Sequence, residues 1–165
     1  MPDEHLIMGV DAALAATGIG LIRTSGDDFE VIDTDLIRTS NRLKLPARLE
    51  KIFESVCEKI ERFKPDILAL EDIFYSKNLK IALSLGQARG VIILACSKYK
   101  LKLVEYSARE IKQAVTGNGG ASKEQVAFMV KSILNLRTQF ETLDISDSLA
   151  AAICAAYKVD SAVNS

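Results

Sequence analysis

Acidic side chains occur at three widely separated places in the chain where the surrounding sequence is apolar or poor in charge. Asp11 and Glu71 each end a short apolar stretch, and Asp144 and Asp147 begin an alanine-rich stretch. A buried carboxylate is costly unless it is paired or binds a cation. If the fold brings these places together, the four acids form a candidate site for divalent metal ions.

Clustered carboxylates of this kind suit phosphodiester hydrolysis. Two Mg²⁺ ions roughly 4 Å apart support in-line displacement, one by activating and positioning a water and the other by stabilising the leaving oxygen. Ligand sets made only of oxygen favour Mg²⁺ or Mn²⁺ over zinc. We therefore expect two Mg²⁺ ions per subunit, with Mn²⁺ also supporting activity. The predicted metal ligands are Asp11, Glu71, Asp144 and Asp147.

Each acid also has an ordinary structural explanation. Asp11 suits a turn after a strand, Asp144 a helix N-cap, and Asp147 a first helical turn, where the helix dipole favours acids. Asp144 and Asp147 are three residues apart and share one helix face, although like charges there repel. The low-charge, alanine-rich stretch behind them favours the functional interpretation, because such a helix packs closely and would aim its first turn at the other acids.

Charge is segregated along the chain, although the formal net charge is only −1. Residues 1–76 carry a net −6, residues 77–137 a net +8, and residues 138–165 a net −3. A phosphate backbone favours a basic surface, and divalent cations favour clustered acids. The basic middle segment therefore favours a nucleic-acid partner, with ordinary solvated surface charge as the alternative.

Length and composition predict one globular domain, at residues 1–159, followed by a disordered tail at 160–165. The sequence has no run of 18 uncharged apolar residues, which predicts no membrane span, and its acidic N-terminus predicts no signal peptide. Cys57, Cys96 and Cys154 are scattered, which indicates buried thiols in a reducing compartment. We therefore expect a cytoplasmic protein.

Apolar stretches bounded by turn residues predict five strands, at 6–11, 17–24, 29–37, 67–71 and 101–105. The first three form an antiparallel meander, and a helix at 43–63 lets the fourth strand lie parallel in the same sheet. Further helices are predicted at 78–98, 107–115, 122–135 and 143–157. The result is an α/β fold with a mixed five-stranded sheet flanked by helices.

The helix predicted at 78–98 is apolar on more than one face, whereas a monomer can bury only one face against its own sheet. Ala82, Gly86 and Gly90 recur every four residues and leave one stripe almost without side chains. This pattern predicts a homodimer built on the helix, although the stripe could equally seat against the chain's own sheet.

Five ordered stretches of residues 6–157 resemble the RuvC family of bacterial Holliday-junction resolvases, which have the ribonuclease H-like fold. They read GVD and TG at 9–11 and 17–18, LEDIFYSKN at 70–78, LGQARG at 85–90, YSAREIKQ at 106–113, and DISDSLA at 144–150. The resemblance implies a metal-dependent endonuclease that resolves four-way DNA junctions by paired symmetric nicks during homologous recombination and DNA repair. It also implies the branch-migration proteins RuvA and RuvB as partners.

Site residues follow from the same resemblance. It implies that the four acids are catalytic, that Lys112 and Lys123 lie near the scissile phosphate, and that Phe74 contacts bases at the crossover. The candidate DNA-binding residues are Phe74, Lys77, Arg89, Lys112 and Lys123. The structural alternatives are helix-surface charge for the two catalytic lysines and core packing for Phe74.

The chain departs from the family pattern after the first acid. The family commonly has Asp-Pro-Gly there, and this chain has Asp11-Ala12-Ala13. Loss of the glycine removes easy access to a positive φ, so we expect the geometry of the turn to differ more than the chemistry.

Three other functions fit parts of the pattern. Another ribonuclease H-like nuclease, acting on RNA or a different branched DNA, would share the acids. A junction-binding protein that no longer cuts is disfavoured because all four acids are present. An actin-like ATP-binding module also has a first strand that ends in Asp, but that fold needs two such domains.

Overall fold

The computed structural model describes residues 3–72 and 77–163, with the side chains of the last helix described to residue 159. It contains one five-stranded sheet in the order β3-β2-β1-β4-β5. The strands are β1 (Glu4–Asp11), β2 (Ala16–Ser25), β3 (Asp28–Arg38), β4 (Ile67–Glu71) and β5 (Lys102–Tyr106). The first three pair antiparallel, and β4 pairs parallel with both β1 and β5. This confirms the predicted mixed sheet and its antiparallel meander.

Helices cover both faces of the sheet. They are α1 (Leu45–Phe63), α2 (Leu79–Lys98), α3 (Ala108–Thr116), α4 (Lys123–Ile133) and α5 (Leu143–Val163). Alternate residues of β1 face opposite ways, as the strand period requires. Ile7 packs into the core shared with α3, α4 and α5, whereas Met8 packs into the core shared with α1 and α2. The central strand is therefore buried on both sides.

Parallel pairing brings two of the predicted acids to the same edge of the sheet. Val10 of β1 is in register with Leu70 of β4, so Asp11 and Glu71 follow at neighbouring strand ends. The register thus confirms that the first and fourth strands end side by side, each on an acid.

Two glycines let α5 lie unusually close to the sheet. A Cβ added to Gly9 would lie 1.9 Å from the carbonyl oxygen of Ser148, and one added to Gly18 would lie 2.2 Å from that of Asp144. Real Cβ atoms do not approach backbone this closely, so only glycine fits at either position. The contact at Gly18 holds the first turn of α5 directly against β2, beside the end of β1.

The last helix is longer than predicted. It continues to Val163, so the prediction of a helix end near Tyr157 is wrong. The ring of Tyr157 packs edge-on against Phe29 at 5.6 Å between centroids, and Lys158 Nζ lies 3.5 Å from a carboxylate oxygen of Glu110. These contacts hold the helix against the rest of the chain at Tyr157 and Lys158.

One face of α2 is buried and the other is not. Ala88, Ile92 and Ala95 pack inward, whereas Leu79, Leu83 and Leu94 on the opposite face are 72, 59 and 58% exposed. Ile81, seven residues before Ala88, lies on the inner side at the start of the helix, where it is 58% exposed. A Cβ added to Gly86 or Gly90 would meet no atom of the described residues within 4 Å. The small-residue stripe therefore does not seat against the chain's own sheet. Within the part of the chain that the structure describes, α2 alone is long and apolar enough to cross a membrane, a weak indication because core helices pass the same test.

Candidate active site

A cavity of about 320 Å³ opens where β1 and β4 end against α3, α4 and α5. Its apolar lining comes from small and aliphatic side chains. Its charged lining residues are Asp11, Glu71, Lys112, Lys123, Asp144 and Asp147. The fold thus brings all six residues that the sequence predicts to be catalytic into one cavity.

Local sequence signals place the two lysines. Ser107 and Ser122 cap α3 and α4, and the hydroxyl of each accepts from a backbone N–H three residues on, at 3.1 Å. Both serines take part in complete capping boxes. Lys123 is therefore the first residue of α4, and Lys112 lies one turn inside α3, with both side chains on the cavity.

Three of the carboxylates form a tight group. Asp11, Asp144 and Asp147 each offer an oxygen within 4.8 Å of the others. Glu71 lines the same cavity, but among the described residues it is not part of this group of three. Burial first, then the negative charge of Asp147 and a hydrogen bond with Asp144, raise the pKa of Asp11 to about 8.

The pKa values of Glu71 and Asp147 are shifted by burial and by neighbouring charges as well. Burial and the charge of Asp147 raise the pKa of Glu71, while Lys123 and Lys112 oppose that rise. Burial also raises the pKa of Asp147, and Lys123 opposes it from 3.6 Å away. Mutual repulsion of this kind is relieved by a divalent cation, and a set of carboxylate oxygens is the ligand chemistry that Mg²⁺ and Mn²⁺ prefer. The residues present therefore fit a divalent metal.

The turn after Asp11 closes without glycine. Neither Ala12 nor Ala13 has a positive φ, and the carbonyl oxygen of Ala13 accepts a hydrogen bond of 2.7 Å from the Thr17 hydroxyl. Alanine is therefore compatible with this turn, and Ala13 itself lines the cavity.

The other predicted DNA contacts have different outcomes. Lys77 is exposed, and Phe74 lies outside the described residues. Arg89 is only 8% exposed in its side chain, because its guanidinium pairs with Glu105 and lies 3.8 Å from Asp72. A DNA contact by Arg89 would require this ion cluster to open. Sequence reasoning missed the cluster, since Glu105 is 16 residues away on another element and no local motif links the two.

Comparison with known proteins identifies what the chain is similar to. The family model described as crossover junction endodeoxyribonuclease RuvC matches residues 7–155. Proteins of that name from Caldicellulosiruptor saccharolyticus and Chloroherpeton thalassium are 42 and 44% identical to this chain. These matches cover 90 and 93% of the chain, and 90 and 82% of the relatives.

A solved structure has the same architecture. Thermus thermophilus RuvC in complex with a Holliday junction substrate superimposes with a TM-score of 0.91 at 26% identity, covering 96% of each chain. The predicted ribonuclease H-like fold is thereby confirmed.

Proposed function

The chain belongs to the RuvC family of crossover junction endodeoxyribonucleases, and we propose that it resolves four-way DNA junctions by paired symmetric nicks in recombination and repair. One observation carries this proposal: three carboxylates with oxygens within 4.8 Å share a cavity with a fourth acid and two lysines. With divalent metal ions bound, such a site has the chemistry to hydrolyse phosphodiesters.

We assign the metal ligands to the four acids of this cavity, with two Mg²⁺ ions per subunit and Mn²⁺ as a substitute. When bound, the metal activates water and stabilises the charge on the reacting phosphate. Asp11 keeps its proton in the metal-free protein at neutral pH, so it must release that proton when it becomes a ligand. This requirement makes metal binding dependent on pH.

The lysines act on the phosphate. Lys123 lies beside Asp147 at the entrance of α4, and Lys112 faces the same cavity from α3. A fixed positive charge beside the scissile phosphate stabilises the negative charge that develops in the transition state. Both lysines therefore contribute to the chemical step as well as to DNA binding.

DNA contacts beyond the cavity are assigned to Lys77 and Phe74, which follow Glu71 in the chain. An aromatic side chain can stack on, or wedge between, bases at a crossover. The stacking role of Phe74 stays a prediction. The basic middle segment, with a net +8 at residues 77–137, supplies the charge for the phosphate backbones.

The exposed apolar face of α2 supports a homodimer. Leu79, Leu83 and Leu94 are exposed there beside the open glycine stripe, and exposed apolar surface of this kind marks contact sites. A four-way junction has two-fold symmetry, so a closed two-fold dimer presents two identical active sites to opposed strands. Family membership further suggests RuvA and RuvB as partners, and the buried thiols fit the reducing cytoplasm.

A substrate panel tests this function. The purified protein is incubated with Mg²⁺ and a synthetic four-way junction, a linear duplex of the same arms, a three-way branch, and an RNA–DNA hybrid. We expect symmetric nicks in opposed strands of the four-way junction alone. Cutting of the hybrid instead would indicate a different ribonuclease H-like nuclease, and tight junction binding without nicks would indicate a non-cutting junction-binding protein.

A further inference from the structure

Arg89 is a buried charge that none of the proposed steps uses. It lies on the inner side of α2, and its guanidinium pairs with Glu105 of β5 and approaches Asp72, the residue after β4. Its Nε has no acceptor among the described residues. Burying an arginine in this way is costly, so the cluster calls for an explanation beyond surface charge.

The cluster joins three elements immediately beside Glu71. Asp72 follows Glu71 in the chain, and its N–H donates to the carbonyl oxygen of Tyr106 at 2.7 Å. Tyr106 is also the register partner of Glu71, and Glu105 precedes it. Arg89 therefore links the ends of β4 and β5 to α2, next to the position where Glu71 of β4 lines the cavity.

We propose that Arg89 is a positioning residue for Glu71. By bridging Asp72 and Glu105, it fixes the last residue of β4 and so the direction from which Glu71 meets a bound cation. Both contacts are made by the same guanidinium nitrogen, Nη2, and arginine suits this task because it keeps its charge when buried and is less strongly hydrated than a lysine ammonium. The proposal rests on the proposed function, since it gives Glu71 the role of a metal ligand.

Two variants test it from opposite sides of the cluster. Arg89→Lys keeps a positive charge but removes the guanidinium nitrogen that contacts both acids. Asp72→Asn removes the acid that links Arg89 to Glu71, at a side chain that is 57% exposed and therefore tolerant of exchange. Arg23 offers a matched control, because it pairs with Glu4 at 2.9 Å and Glu30 at 3.1 Å far along the sheet from the cavity. The control variants are Arg23→Lys and Glu30→Gln.

Three quantities are measured for each variant: Mn²⁺ affinity by calorimetry without DNA, junction affinity without metal, and the single-turnover cutting rate at saturating protein. We expect Arg89→Lys and Asp72→Asn each to lower Mn²⁺ affinity and cutting rate about tenfold, as loss of a residue supporting a metal ligand does. The double variant should be no worse than either single one. The junction affinity of both variants should stay within about twofold of the unmodified protein, a change small against the tenfold effect. In the control variants, all three quantities should stay within the same limit.

Other outcomes overturn the proposal. Wild-type Mn²⁺ affinity and rate in both variants would mean that Glu71 needs no such support. A loss of junction affinity with an unchanged saturated rate would make Arg89 a DNA contact. A fall in melting temperature with unchanged Mn²⁺ affinity would make the cluster purely structural. If the unmodified protein itself cuts no junction, the proposed function fails, and the Mn²⁺ titrations still decide the role of Arg89.

Discussion

Asp11 is the residue whose protonation most affects the metal-free protein. Its pKa is about 8 in the fold, against 3.8 for an ordinary Asp. An acid whose pKa is raised by folding stabilises the fold fully below its unfolded pKa, and that contribution is lost as the pH rises through its folded value. The free energy of unfolding of the metal-free protein should therefore fall as the pH rises from about 4 to 8, because over this range the folded state binds a proton at Asp11 that the unfolded state does not.

Asp11→Asn should consequently stabilise the metal-free protein at pH 8. We expect a gain over the unmodified protein of at least about 1.4 kcal/mol, the equivalent of one pKa unit, and little gain at pH 4. Urea unfolding in EDTA at both pH values measures this, with exposed Asp28→Asn as the control. If the free energy of unfolding of Asp11→Asn differed from that of the unmodified protein by the same amount at both pH values, burial and repulsion would not hold the proton on Asp11.

Lys123 should affect chemistry more than binding. Lys123→Ala removes a charge 3.6 Å from Asp147, and losing one such electrostatic stabiliser slows the chemical step roughly 10²-fold. Single-turnover cutting at saturating protein measures that step, and Lys112→Ala should behave alike. The control is Lys131→Ala, near the far end of the same helix, where loss of a phosphate contact would lower only affinity and reduce the salt slope by about one. A wild-type rate in Lys123→Ala would reduce Lys123 to a backbone contact.

At the residue scale, the sequence predicted the members of the cavity but not all their surroundings. The acids are recognisable because each ends or begins an apolar element. The capping serines indicate where the helices that carry Lys112 and Lys123 begin. Arg89 is different. Nothing around it in the chain shows that Glu105 and Asp72 will enclose it, because that contact depends on the packing of α2 against β5.

At the element scale, the approach of α5 to the sheet determines the geometry of the site. Gly18→Ala would place a Cβ 2.2 Å from the carbonyl oxygen of Asp144, so α5 must shift at the turn that carries two acids. We expect Mn²⁺ affinity and cutting to fall about 10²-fold, the scale of a 1 Å misplacement.

Gly20→Ala is the matched comparison for that variant. The three atoms nearest its added Cβ would be side-chain atoms of Leu149 and Ser148, at 2.6 to 3.0 Å. Since none of the three is backbone of α5, we expect stability to fall while the acids move less than in Gly18→Ala. Calorimetry and thermal melts on both variants separate the two effects. Equal Mn²⁺ affinities in Gly18→Ala and the unmodified protein would show that the close approach does not set the positions of the acids.

Elements were predictable where local signals are strong. The strand ends at Asp11 and Glu71, the capped starts of α3 and α4, and the stop of α1 before Pro65 follow from turn and capping chemistry. The course of α5 beyond Tyr157 was not, because Tyr157 and Lys158 contact Phe29 and Glu110, which are distant in sequence. The apolar periodicity of α2 indicated more than one apolar face. Which of these faces stays exposed depends on how α2 packs against the sheet, and the sequence does not contain that information.

At the scale of the whole molecule, the open face of α2 predicts a dimer. Equilibrium sedimentation at micromolar concentration should give twice the 18.0 kDa chain mass. Gly90→Glu should yield folded monomers, because the Cβ that it adds would meet no atom of the described residues within 4 Å, whereas its charge would enter the apolar contact. The melting temperature of that variant checks that the fold survives. An unmodified protein that sediments as a lone 18.0 kDa species would contradict paired cutting by a dimer.

The central claim is that the carboxylate cavity is the centre that cuts the junction, and Asp11→Asn on a synthetic four-way junction tests it most directly. The substitution removes a metal ligand and leaves the phosphate contacts in place, and amide variants of the other three acids extend the test. In Mg²⁺, cutting should be nearly abolished while gel-shift affinity for the junction without metal stays at the wild-type level. Symmetric nicking by Asp11→Asn at the wild-type rate would contradict the assignment of the active site.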